Sequence, residues 1–172
     1  AAPREPLLVA VASNLSGVAD KLAAGFTVRS GIRVALNFGA TAQLAQQIEH
    51  GAPFDLFLSA DVQHADKLLA AGHVLKESRA IYARGKPVLW VPPGGRASIG
   101  KLEDLRAPAV RFIAIANPEL APYGAAAEKA LAAAGLWEPL QPKLVRADNV
   151  TAALQMAATG NAEAAFTAFS LV

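Results

Sequence analysis

Short uninterrupted apolar blocks alternate along this chain with segments of helical period. Leu7–Ala12 is all apolar, the pattern of a strand buried on both faces. From Ser13 the period changes: Leu15, Val18, Ala19, Leu22 and Phe26 fall on one helical face, which predicts a helix with Ser13 or Asn14 as N-cap and Gly31 at its end. Val34, Leu36 and Phe38 alternate as a second strand, and a helix follows from Thr41 to His50, with Leu44, Ala45 and Ile48 inward and Gly51-Ala52-Pro53 as its stop. Leu56–Ser59 reads as a third strand, after which Asp61 caps a helix that buries Ala65, Leu68 and Leu69. Strand–helix alternation with short connections predicts a parallel α/β sheet covered on both faces.

The middle of the chain breaks this rhythm. Ile81–Ala83 and Pro87–Val91 read as strand pieces around Arg84-Gly85-Lys86, and Pro92-Pro93-Gly94-Gly95 is a loop. A short helix is expected at Lys101–Leu105, a buried strand at Phe112–Ala116 and an Ala-rich helix at Ala121–Gly135. Leu144–Arg146, Val150–Thr159 and Ala164–Ala168 then read as strand, helix and strand. A second α/β unit therefore starts near residue 82, giving domains 1–81 and 82–172. No flexible linker separates them, as suits a hinge of adjacent strands. Ser170-Leu171-Val172 follows the last strand with no turn signal.

Composition narrows the class. The 172 residues are 53% hydrophobic and 17% charged, so the chain can bury a core and is not of disordered type. No apolar run reaches the roughly 18 residues of a membrane span. A net charge of +2 with scattered Arg and Lys argues against nucleic-acid binding. Cysteine is absent, which removes disulfides, thiol nucleophiles and Cys-based metal sites. Ala1-Ala2-Pro3-Arg4-Glu5-Pro6 fits either a mature end left by a signal peptide or an ordinary terminus.

Catalytic chemistry finds little support. His50 lies at a helix C-terminus, His64 on an exposed helix face and His73 in a turn, none at metal-ligand spacing. Asp55 and Asp61 suit capping and turns. No nucleophile-elbow, P-loop or dinucleotide motif occurs. What stands out is a set of strand-to-helix junctions with neutral donors and no Lys or Arg: Ala12-Ser13-Asn14-Leu15, Phe38-Gly39-Ala40-Thr41-Ala42, Ala147-Asp148-Asn149-Val150 and Asn117-Pro118-Glu119-Leu120-Ala121-Pro122-Tyr123-Gly124. A helix start exposes unpaired N–H groups at the positive end of its dipole and binds anions without a charged side chain. Taken singly, each Ser, Thr or Asn is explained by capping. Together they lie at the C-terminal ends of parallel strands, where open α/β sheets bind ligands.

At these residues the chain resembles the periplasmic molybdate-binding proteins of bacterial ABC importers. The match runs through essentially all 172 residues. It is carried by Val11-Ala12-Ser13-Asn14-Leu15, by Gln46–Asp61 with its Gly51-Ala52-Pro53-Phe54-Asp55-Leu56-Phe57-Leu58-Ser59-Ala60-Asp61 run, by Ile115–Gly124 and by Asp148-Asn149-Val150. The resemblance implies a two-lobed type II periplasmic-binding-protein fold holding a tetrahedral oxyanion. It implies ligand contacts from Ser13 and Asn14, from Thr41 where the family carries a Ser-rich loop, from Tyr123, and from the backbone of Val150. Thr167 stands where some members use a late Tyr as an alternative to one at position 123, so the resemblance favours Tyr123 and leaves a contact from Thr167 open. Family members continue past the position of Val172 and return to the first lobe, so the resemblance implies that residues 1–172 lack this return.

The implied function is capture of molybdate or tungstate in the periplasm, after removal of a signal peptide, for a membrane ABC transporter permease. The protein would be a monomer and not an enzyme. It would carry no cofactor, with molybdenum present only inside the oxyanion. A receptor for another oxyanion such as sulfate, or the anion-sensing domain of a regulator, stays open beside it.

Overall fold

The computed structural model describes residues 5–95 and 97–172. The Ala1–Arg4 end, where the signal-peptide reading falls, lies outside them. Two compact units meet between Arg84 and Gly85, three residues after the boundary expected from sequence.

The first unit is built on β1 (Leu7–Ala12), β2 (Val34–Gly39) and β3 (Leu56–Leu58), an all-parallel sheet in the order β2-β1-β3. The central strand, β1, pairs with both neighbours, Val9 lying opposite Leu36 on one side and Leu56 on the other. Val9 and Val11 pack with Ala19, Leu15, Val34, Leu36 and Leu58. Ala10 and Ala12, which alternate with them, are equally buried, so β1 is covered on both faces, as its unbroken apolar run requires. The helices are α1 (Val18–Ser30), α2 (Thr41–Glu49) and α3 (Val62–Ala70). Gly31 ends α1 in the left-handed region (φ 71°), a conformation that favours glycine at this position.

Three features of this unit depart from the pattern of its sequence. Ser13 and Asn14 do not cap α1. They form a 3₁₀ turn, Ser13–Leu15, and the long helix starts five residues after Ser13, behind Gly17 (φ 82°). The predicted apolar face of α1 is only partly used: Ala19 is buried, whereas Val18 and Leu22 are exposed. Ile81–Ala83 forms no strand; Ile81 and Tyr82 are exposed coil, and the Tyr82 hydroxyl donates to Ser59 O at 2.7 Å.

The second unit contains β4 (Pro87–Trp90), β5 (Ile113–Ala116), β6 (Leu144–Ala147) and β7 (Ala164–Ala168), ordered β4-β7-β5-β6. β5 is parallel to β6 and β7, but β4 runs antiparallel to β7, a pairing that strand pattern alone does not announce. Its helices are α4 (Pro122–Ala133), a short α5 (Trp137–Leu140) that the apolar pattern does not predict, and α6 (Val150–Ala158). The expected helix at Lys101–Leu105 is a 3₁₀ segment, Leu102–Arg106, and β7 is followed by a further 3₁₀ turn, Phe169–Leu171, where the sequence carries no turn signal.

The two faces of this sheet differ in size of side chain. Ile113, Ile115 and Phe166 meet Leu131, Leu136, Leu140 and Leu105 on the α4 side. On the α6 side Ala114, Ala147 and Ala165 meet Ala153 and Ala157. Alternation along each strand separates the large from the small residues, so α6 rests on an alanine surface. Two polar ties secure the edges. The Lys143 ammonium donates to the carbonyls of Leu105, Arg106 and Ala107 at 2.8–3.1 Å, neutralising the C-terminal end of the 3₁₀ segment. The Glu163 carboxylate accepts from the Arg111 and Phe112 N–H groups at 2.9 and 2.7 Å.

Candidate functional site

Each unit offers its candidate donors at the C-terminal edge of its own sheet. In the first unit, Ala12 lies opposite Gly39, so β1 and β2 leave the sheet side by side. Beyond β1 the chain turns at once: Ser16 N–H and the Ser16 hydroxyl both donate to Ser13 O. This tight turn holds Ser13 and Asn14 buried, at 6% and 8% exposure, directly beyond the strand. Beyond β2, Ala40 is the N-cap of α2, and its side chain accepts no bond from the first turn. Thr41 is the first residue of that helix and only 1% exposed. Its hydroxyl oxygen accepts from Ala60 N–H at 3.2 Å, which ties the start of α2 to the end of β3. With a donor already on the oxygen, the Thr41 hydroxyl hydrogen is the part of this group able to donate onward.

A polar knot adjoins that contact. Asp61 accepts from His64 N–H (3.0 Å) and lies 2.8 Å from His64 Nδ1, while the Ser59 hydroxyl donates to Asp61 O at 2.7 Å. Asp61 is thus a helix cap, as read from sequence. His64 is not on an open face; its side chain is about a quarter exposed and faces the carboxylate. The sequence reading missed Ala60, whose N–H orients Thr41. The Asp61–His64 spacing of three, the span from an N-cap to N3, was the signal pointing to an ordered start for α3 just beyond it.

In the second unit, Asn117 shapes the approach to α4. Its side-chain oxygen accepts from Glu119 N–H, its backbone oxygen accepts from Leu120 and Ala121 N–H, and its own N–H donates to Ala147 O at 2.8 Å. That last bond ties the ends of β5 and β6 together. Pro122 opens α4 where its missing N–H costs nothing, and Ala121 offers no side-chain cap. Tyr123 follows, 8% exposed. At α6, the Asn149 side chain caps by accepting from Ala152 N–H at 3.0 Å. Val150 is the first helical residue, 2% exposed, and its N–H has no acceptor within the helix.

Thr167, whose ligand contact the sequence leaves open, is 1% exposed on β7, and its hydroxyl has no hydrogen-bond partner among the described residues. Among the described residues, no group of three His, Asp or Glu side chains could hold a metal ion, and no helix is long and apolar enough to cross a membrane. The structure thus brings Ser13, Asn14 and Thr41 to one sheet edge, and Tyr123 and Val150 to another.

Two α/β units of this kind, with neutral donors at their strand ends, describe a solute receptor. The chain belongs to the bacterial extracellular solute-binding proteins, whose family model matches residues 7–172. Among its relatives are proteins named molybdate-binding protein ModA. It is 42% identical to the one from Azotobacter vinelandii over 100% of this chain and 68% of the relative, and 39% identical to that of Rhodobacter capsulatus over 96% of this chain and 65% of the relative. The solved periplasmic molybdate-binding protein of Azotobacter vinelandii superposes with a TM-score of 0.88 at 37% identity, over 94% of this chain and 71% of that one. The chain therefore spans about two-thirds of the length of these relatives.

Proposed function

We propose that this protein captures molybdate, or the nearly isosteric tungstate, in the periplasm and delivers it to a membrane ABC transporter permease. The observation that carries the reading is the pair of helix starts, α2 and α4, with alanine at the N-cap, no side-chain cap, and a buried hydroxyl, Thr41 or Tyr123, in the first turn. A helix start left open in this way presents N–H and O–H donors to an anion. The names of the relatives supply the ligand class.

On this reading the candidate donors are Ser13, Asn14, Thr41, the Tyr123 hydroxyl and the Val150 N–H. The dianion loses its water on binding, which is costly unless every oxygen finds a donor. Hydrogen bonds to a charged acceptor are roughly twice as strong as neutral ones, so several together replace hydration. Because the donors are neutral, no buried Lys or Arg has to be desolvated as well. Molybdenum stays inside the oxyanion; no protein atom ligates the metal and no cofactor takes part. Sulfate is smaller and would not reach all donors at once, leaving some unpaired at about 1–3 kcal/mol each.

Titration calorimetry with molybdate, using sulfate as competitor, tests this. One-to-one binding that excess sulfate does not displace is the expected result. Displacement by sulfate at comparable concentration would move the protein to the sulfate-receptor class, and absence of heat from a folded chain would overturn the reading.

A further inference from the structure

Among the described glycines, two could not take a Cβ without a contact shorter than any real Cβ makes, and both border Tyr123. At Gly124 the added carbon would run into Ala116 O and come within 2.8 Å of the carbonyl carbons of Ala116 and Asn117. The absence of a side chain here lets α4 dock flush against the end of β5. Gly85 is the second. An added Cβ there would overlap the Tyr123 hydroxyl oxygen and approach its Cζ to 3.1 Å. Neither glycine has a positive φ, so backbone conformation does not call for glycine at either site. What the missing side chain provides at Gly85 is space for a phenol oxygen.

The backbone beneath that oxygen is held in place. Phe169 N–H donates to Lys86 O at 2.9 Å, and Pro87 pairs with Ala168 across the antiparallel β4–β7 ladder. A side chain at 85 therefore displaces the phenol more readily than the strand. We propose that Gly85 is a positioning residue: it sets where the Tyr123 hydroxyl lies and so tunes the oxyanion contact assigned to that hydroxyl. This inference rests on the binding reading given above. Gly124 fixes the backbone root of Tyr123 and Gly85 its tip, so the donor is located from both ends.

The test is a double-mutant cycle in the whole chain, with Gly85→Ala, Tyr123→Phe and the pair, each measured by molybdate calorimetry and thermal unfolding. Gly85→Ala is expected to weaken molybdate binding by about tenfold or more in the Tyr123 protein, yet by less than about twofold once Tyr123 is Phe, because the overlapping oxygen is then gone. Thermal unfolding supplies the ligand-free arm: Gly85→Ala lowers Tm, and adding Tyr123→Phe recovers part of the loss. Unchanged affinity in Gly85→Ala, or an equal loss in both backgrounds, overturns the positioning role. Failure of the parent chain to bind molybdate overturns the binding reading instead. In that case the unfolding arm alone decides: recovery by Tyr123→Phe supports the Gly85–Tyr123 contact, and its absence overturns it.

Discussion

Thr41 shows how much one buried hydroxyl is asked to do. It accepts from Ala60 N–H and, on the proposed reading, donates to the oxyanion. Thr41→Val keeps the shape and removes both roles. It leaves Ala60 N–H without its acceptor, so a stability loss of about 1–3 kcal/mol is expected in denaturant unfolding, along with a marked fall in molybdate affinity. Tyr123→Phe separates the two effects: affinity falls in calorimetry while the fold persists. Glu163 lies outside the proposed donor set and reports on pH. Burial pushes its carboxyl up, but the Phe112 and Arg111 N–H donors and the Arg111 charge outweigh this and hold it below its ordinary 4.5. A depressed carboxylate stabilises the fold fully above its unfolded pKa, and that contribution is lost as pH falls through the folded value. Stability followed by chemical denaturation should therefore drop as pH goes below the ordinary carboxylate range, and Glu163→Gln should flatten part of that drop while costing about 1–2 kcal/mol at neutral pH.

At the scale of elements, the second sheet is asymmetric by design of its side chains. The α4 face is closed by Leu131, fully buried among Ile113, Ile115 and Leu136. Leu131→Ala leaves a cavity and is expected to cost about 2–5 kcal/mol in unfolding measurements. The α6 face has the opposite weakness. Ala153 and Ala165 are fully buried against one another's elements, so Ala153→Leu overfills a space sized for methyl groups and is expected to cost about 1–3 kcal/mol. These elements were legible in the pattern of the chain: Leu7–Ala12 and Ile113–Ala116 stand where uninterrupted apolar blocks put them. The start of α1 was not legible. Ser13 and Asn14 are good N-cap types, but the Ser16-to-Ser13 bonds close a 3₁₀ turn first, and Gly17 then takes the left-handed step that begins the helix.

For the whole molecule, ligand and stability are linked. Anything that binds the folded chain and not the unfolded one stabilises it, by about 2.7 kcal/mol when free ligand is a hundred times Kd. Added molybdate should therefore raise Tm in a concentration-dependent way, and dialysis should return it to the starting value. Sulfate at the same concentration should leave Tm where it was. A matched rise with sulfate would argue for a general oxyanion receptor.

Taken by itself, the sequence determined the α/β class, the start of a second unit within a few residues of Gly85, and the junctions that supply candidate donors. Those features are local: apolar runs, helical period and turn residues are written in neighbouring positions. Tertiary structure decided what depends on residues far apart in the chain. It set β4 antiparallel to β7, put Ala60 N–H on the Thr41 hydroxyl, and bound Glu163 to Arg111 and Phe112. It also put the Tyr123 hydroxyl against Gly85. Pairing partners and close approaches over tens of residues leave no period in the sequence, because packing selects them only after the elements have formed.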